Sequence, residues 1–292
     1  MAAPSHPAPP SARTSCYAQA MATHCERSDH GPVTFYEIER AVPGARPMRV
    51  GVYVVDGTLI DTGPRHAREC VAGIIEEHDI DQVVLTHHHE DHIGNAAFVA
   101  DRLGVIPLMH HSGQAATAAP KALPTYRKVI WGQPAGLETS TLDDEVSTRR
   151  FSFRVVHTPG HAHDHVVLHE PDQNWVFSGD LYLTDRVSRA FEYEDIGVMI
   201  QSMRTVLAIP DCELFCQHTG RHMSHQHQIG KKLDRMLGLR NRAIVHLEEG
   251  RSIREITRAL GIADRAHKIV SRGEWSAEHL VRGLLRDAGR LD

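Results

Sequence analysis

The sequence predicts an α/β fold with a helical C-terminal extension. Three observations predict it. Short β-branched runs are bounded by turn residues, amphipathic helical stretches lie between them, and histidines and carboxylates gather where the predicted strands end. The 292 residues suffice for a sizeable core, and 41% apolar with 24% charged residues is ordinary for a folded globular chain.

Residues 1–32, rich in Pro, Ala and Ser, predict a disordered leader, within which Met21 offers an alternative start. "TFYEIE" and "VGVYVVDG" then read as strands, and "TLIDTG" as a shorter strand ending in a turn. "RHARECVAGIIEEH" places Ala67, Val71, Ile74 and Ile75 at helical spacing. "DQVVLTH" is a buried strand, "DHIGNAAFVADRLG" a helix closed by Gly104, and "VIPLMHH" another strand. Residues 112–146, with three prolines, predict helix and a lid-like loop. Tyr126, Arg127, Lys128 and Trp131 in it suit either recognition of an aromatic or anionic substrate or an amphipathic cover.

"FSFRVVHTPG", "HVVLHE" and "NWVFSGD" follow as three strands, with "PDQN" as a hairpin turn. A helix over "IGVMIQSMRTVLAI" precedes "CELFCQH", whose alternation sets Cys212, Leu214, Cys216 and His218 on one face. From about Ile229 the chain turns helical and basic, with 14 Lys/Arg against 9 Asp/Glu over residues 231–292. The domains expected are thus the leader, a catalytic domain over 33–228 and a helical module over 229–292.

No segment reaches the roughly 18–20 continuous apolar residues of a membrane span, and the leader lacks the apolar stretch of a secretory signal. Five cysteines without a paired framework predict a reducing, cytoplasmic setting. The net charge of -5 argues against a protein that generally coats nucleic acid. Twenty-three histidines demand a use, since imidazole is the commonest metal ligand.

That use is concentrated in "THHHEDH". His87 and His89, two apart at a strand end, can project the same way, and Asp91 and His92 follow where a helix begins. Such an arrangement can feed two adjacent metal ions. His161 follows a Pro-Gly turn, Asp180 ends "WVFSGD" where a carboxylate can bridge two cations, and His218 ends "ELFCQH". Each alone reads more readily as a turn residue; together they form one constellation at a sheet edge.

The ordered set "IDTG", "THHHEDH", "TPGH", "FSGD" and "HTG", spread over residues 34–222, resembles the metallo-β-lactamase-fold hydrolase superfamily. The resemblance implies a four-layer αββα sandwich with a dinuclear metal site at one edge. It implies His87, His89 and His161 as ligands of one ion, Asp91, His92 and His218 as ligands of the other, and Asp180 bridging. Asp61 is implied to support the ligand loop without binding metal, and His165, in "GHAHDH", to support the site or face substrate. Where many branches carry Pro-Gly before the last histidine, this chain has Cys216-Gln217. Cys216 is expected to be an apolar filler.

Imidazole and carboxylate without thiolate suit Zn²⁺, and also Mn²⁺ or Fe²⁺. Two such ions acidify a water, and the hydroxide attacks an electrophilic carbonyl or phosphoryl group, with Asp91 orienting it. The expected function is hydrolysis of a small thioester, ester or lactone, by a chain whose partner is that small molecule. Two alternatives stand beside it: a metal-dependent endoribonuclease using the basic tail, whose general shape is most like that branch's, and a ligand-binding or iron-dependent redox member of the fold. Against the nuclease, the tail intersperses Arg with Glu and lacks the aromatic interleaving of a base-stacking surface.

Overall fold

The computed structural model describes residues 23–41, 47–263 and 265–291. β1 (Thr23–His30), β2 (Val33–Arg40), β3 (Met48–Val55) and β4 (Thr58–Ile60) pair antiparallel in sequence. α1 (Arg68–Glu77) leads to β5 (Gln82–Val84), which joins β4 in parallel. α2 (Glu90–Ile93) and α3 (Ala96–Leu103) follow, the latter closed by Gly104 in the left-handed conformation, as its sequence predicts. β6 (Leu108–Met109) continues the parallel series. The segment expected to be helix and loop holds two short helices, α4 (Gln114–Ala118) and α5 (Thr125–Ile130), and then β7 (Ser140–Thr141), which completes a seven-stranded sheet.

A second sheet collects β8 (Glu145–Ser147), β9 (Ser152–His157), β10 (Val166–Glu170) and β11 (Trp175–Phe177). β12 (Ala190–Phe191) and α6 (Ile196–Leu207) intervene before β13 (Glu213–Cys216) and β14 (Gly220–His222) bring that sheet to six strands. The chain ends in α7 (His225–Glu248), α8 (Ile253–Ala259), α9 (Arg265–Val270), β15 (Trp275–Ser276) and α10 (Ala277–Asp287). Ser224 caps α7 one turn before the predicted start, and Ser252 with Glu255 forms a capping box on α8, each cap contributing about 1 kcal/mol.

Alternation along the strands sorts side chains into three apolar layers. Tyr53 and Val55 of β3 face Phe177 and Phe215 between the sheets, while Val52 and Val54 face α1 and α3. On the second sheet Val166 and Leu168 point inward, and Val167 points out to the helices. Those helices are α6, α7, α8 and α10, so the terminal helices share one core with the second sheet. The result is the four-layer αββα arrangement.

Three expectations need correction. The leader expected over 1–32 ends earlier, because Thr23–His30 pair with β2 along their whole length; residues 1–22, with Met21 and Cys16, lie outside the described residues. The expectation of no paired cysteines fails at Cys25 and Cys70, which are disulfide-bonded, β1 having carried Cys25 to the α1 layer. With that pair, the cysteine argument for a reducing compartment falls away. In the tail, α9 and the β12–β15 pair were not anticipated, since two-residue strands carry no periodicity. Among the described residues no helix is long and apolar enough to cross a membrane.

Candidate metal centre

The first sheet delivers the motif. β5 ends at Val84, and the chain then lays down Thr86 to His89 before α2 begins. Gly94 ends that helix so tightly against the neighbouring loop that a Cβ would meet the Arg65 amide nitrogen at 2.3 Å. The second sheet delivers the partners: His161 from the turn after β9, Asp180 from the turn after β11, and His218 from the β13–β14 turn. His218 does not continue the β13 face as expected. β13 stops at Cys216, which packs toward the helices and donates its thiol to the Tyr182 carbonyl at 2.9 Å, while His218 swings to the sheet edge.

Two groups result. His87, His89, His161 and Asp180 present ligand atoms within 4.8 Å of one another, and so do Asp91, His92 and His218. Asp180 lies between the groups. Its Oδ2 is 3.1 Å from His161 Nε2, and its Oδ1 is 3.2 Å from His92 Nε2 and 3.1 Å from His218 Nε2. Asp91 Oδ2 is 3.7 Å from His218 Nε2 and 3.9 Å from His92 Nε2. The seven residues expected as ligands therefore lie together.

Four of the five imidazoles are fixed from behind. The outer nitrogen of His87 donates to Thr86 Oγ1 (3.1 Å), that of His92 to Asp61 Oδ2 (2.8 Å), that of His161 to Glu194 Oε1 (2.6 Å) and that of His218 to the Arg49 carbonyl (2.6 Å). This leaves each Nε2 lone pair facing inward. His89 aims Nδ1 at the same space, 2.9 Å from His161 Nε2. Among the described residues, His87 Nε2, His92 Nε2, His218 Nε2 and Asp180 Oδ1 are buried without a hydrogen-bond partner of good geometry. Buried polar atoms are rarely left so, and here they converge from different elements.

The electrostatics point the same way. Burial and then the surrounding imidazoles push His87 and His89 well below the ordinary histidine range. At His92 burial is outweighed by the Asp180, Asp61 and Asp91 carboxylates, which push it well above that range. At His161 burial is outweighed by Asp180 and Glu194, pushing it up to about 9. The cluster therefore concentrates negative charge that a buried cation would balance, and the donor set fits divalent metal.

Asp61 and His165 lie behind the two groups, each hydrogen-bonded to one of their members. Asp61 is fully buried with a left-handed backbone (φ 62), and it accepts from the Thr86 amide and hydroxyl as well as from His92. Gln217 donates its amide to Asp61 Oδ2 at 3.0 Å. His165 accepts the Asp180 amide N–H on Nε2 (2.9 Å) and donates from Nδ1 to Thr158 (2.7 Å). Burial, helped by the His161 charge, pulls His165 down to about 3 and keeps it neutral. Asp61→Asn removes one of these acceptors, and a 10–100-fold loss of metal affinity is expected, read by competition with a chromogenic chelator. Unchanged affinity would show that Asp61 only shapes a turn.

Sequence reasoning missed Glu194 and the purpose of Arg127. Arg127 of α5 is engaged by carboxylates. Its Nε and Nη2 each lie 2.6 Å from the Glu90 carboxylate, inside the metal motif, and Nη1 lies 3.1 Å from Glu274 of the tail. Tyr126 also donates to Glu274, at 2.7 Å.

A four-layer sandwich with histidines and aspartates converging at one sheet edge defines a metal-site protein of the metallohydrolase class. The family model described as the metallo-beta-lactamase superfamily matches residues 47–236, and the chain belongs to that superfamily. A hydroxyacylglutathione hydrolase of Aeromonas salmonicida is 31% identical over 144 residues, 48% of each chain. A beta-lactamase-like protein 2 homolog of Drosophila melanogaster is 31% identical over 167 residues, 55% of this chain and 53% of that one. The chain thus spans about half the length of the curated relatives it matches. A metallo-beta-lactamase family protein of Thermus thermophilus shares the fold with a TM-score of 0.65, at 19% identity over 87% of this chain and 94% of that one.

Proposed function

We propose that the chain is a dinuclear metal-dependent hydrolase of a small thioester, ester or lactone. The observation that carries this reading is the placement of Asp180, with one carboxylate oxygen toward His161 and the other toward His92 and His218. His87, His89 and His161 would hold one ion, Asp91, His92 and His218 the other, and Asp180 both. Divalent ions there, zinc before manganese or iron, supply Lewis acidity and an activated water.

The chain's own residues do the rest. Asp91, on the first turn of α2, aims Oδ2 into the gap between the groups, where it can orient the attacking water and take up its proton. His165 holds the Asp180 backbone, and Asp61 and Glu194 hold the His92 and His161 rings. Tyr193, half exposed with its ring 5.6 Å from that of His89, offers an apolar face to an acyl group. Arg127, committed to two carboxylates, is not free for an anionic substrate. Similarity to hydroxyacylglutathione hydrolase supports the acyl reading.

One observation favours the nuclease as a second reading. Arg254, Arg258, Arg272 and Arg282 line a cavity of about 960 Å³ among the terminal helices and make no ion pair among the described residues. Such a surface would suit phosphates.

Elemental mass spectrometry on tag-free protein, followed by a panel of thioesters, lactones and RNA, tests the choice. About two metal ions per chain are expected, with acyl turnover lost on chelation and regained with zinc. Salt-sensitive RNA cleavage without acyl turnover would establish the nuclease instead, and a single iron would point to oxygen chemistry.

A further inference from the structure

The metal centre consumes only some of the histidines gathered at this edge. Between His87 and His89, His88 turns the other way, and its Nδ1 lies 2.7 Å from Asp164 Oδ1. His163, next to Asp164 in the turn after β9, completes a third group whose ligand atoms lie within 4.8 Å of one another. The His88 and His163 rings are 4.9 Å apart.

We propose that His88, His163 and Asp164 form a further divalent-cation site, separate from the dinuclear centre and beside it. Asp164 is fully buried, and its second oxygen, Oδ2, has no hydrogen-bond partner among the described residues. A carboxylate buried in that way needs positive charge nearby, and a single hydrogen bond to His88 leaves half of it unanswered. The His163 ring is set as ligating imidazoles are. Its Nε2–H donates to the Ser112 carbonyl at 2.9 Å, which leaves the lone pair on Nδ1. The loop that provides this carbonyl is pressed against Asp164, so that a Cβ on Gly113 would meet Oδ2 at 2.1 Å. A larger residue at 113 could not bring Ser112 to His163 without displacing the carboxylate.

Two imidazoles and one carboxylate select a borderline ion such as Zn²⁺, Co²⁺ or Ni²⁺ over Mg²⁺ or Ca²⁺. Three protein ligands leave a coordination position to water, as in open zinc sites. His163 is exposed and His88 is 25% exposed, so this ion exchanges with solvent and is held more weakly than ions enclosed at the dinuclear centre.

The alternative is that Asp164 merely orients His88 through a hydrogen bond. In that case His163 is irrelevant to metal, and this separates the two readings. Tag-free full-length protein is dialysed against a series of buffered free zinc concentrations, and bound zinc is counted by elemental mass spectrometry. Wild type is expected to take up about one more zinc at the high end than His163→Ala does. Because the count is a difference between two proteins, it does not depend on how many ions sit elsewhere. Asp164→Asn is expected to weaken the same ion at least about tenfold, and excess magnesium is expected not to displace it. His163 is exposed, so its substitution leaves the fold intact, and a melting curve checks this. Equal zinc uptake by wild type and His163→Ala at every concentration would overturn the proposal.

Discussion

Asp180→Ala is expected to cost the protein both its metal ions and its turnover. Among the described residues no other carboxylate presents an oxygen to each ligand group, and without it the inward lone pairs of His161, His92 and His218 lose the charge that lets cations sit close together. Metal content should fall below about one ion per chain, and kcat/KM by at least about a thousandfold, or roughly 4 kcal/mol of transition-state stabilisation. Elemental analysis with steady-state kinetics on the variant checks both. His89→Ala should act in the same direction through one group. An Asp180→Ala protein that retained both ions would remove the bridge from the mechanism.

Arg127→Met is expected to have the largest effect on stability. Glu90 is only 3% exposed and lies between His89 and Asp91, with Arg127 as its bidentate partner. Burial already raises the Glu90 carboxyl above its usual range, despite the guanidinium that pulls it back. Removing one member of a buried pair costs about 3–5 kcal/mol, because the other charge stays behind uncompensated. For a chain of this size that corresponds to a fall in Tm on the order of 10 °C, measurable by calorimetry. Adding Glu90→Leu should recover much of the loss, since the stranded charge goes with it. An unchanged Tm in the single variant would mean that the pair contributes nothing net.

The layers and the metal residues were legible in the sequence for a physical reason. A strand buried on both faces must read as an apolar run, as around Tyr53 and Val54, and metal ligation restricts residue type more severely than packing does. Glu194 was not legible. A single carboxylate in an irregular stretch before a helix carries no period, and its purpose exists only because His161 arrives from 33 residues away. Arg127 could be read as substrate recognition or as cover until its three nitrogens were seen to be engaged. Gln217 stood out as a departure from the motif, yet its bond to Asp61 spans 156 residues. The Cys25–Cys70 pair depends likewise on β1 lying over α1, which neither segment announces.

Glu274 lies near the end of the chain, yet through Arg127 it reaches Glu90 in the heart of the metal motif. A frameshift or protease nick just upstream of it would therefore not behave as the loss of a dispensable tail. It would deprive the guanidinium of one of its two anchors and slacken the wall behind His89 and Asp91. Damage at the far terminus would be felt in the core, which loses Leu280, Val281, Leu284 and Leu285 of α10, and in the wall of the site together.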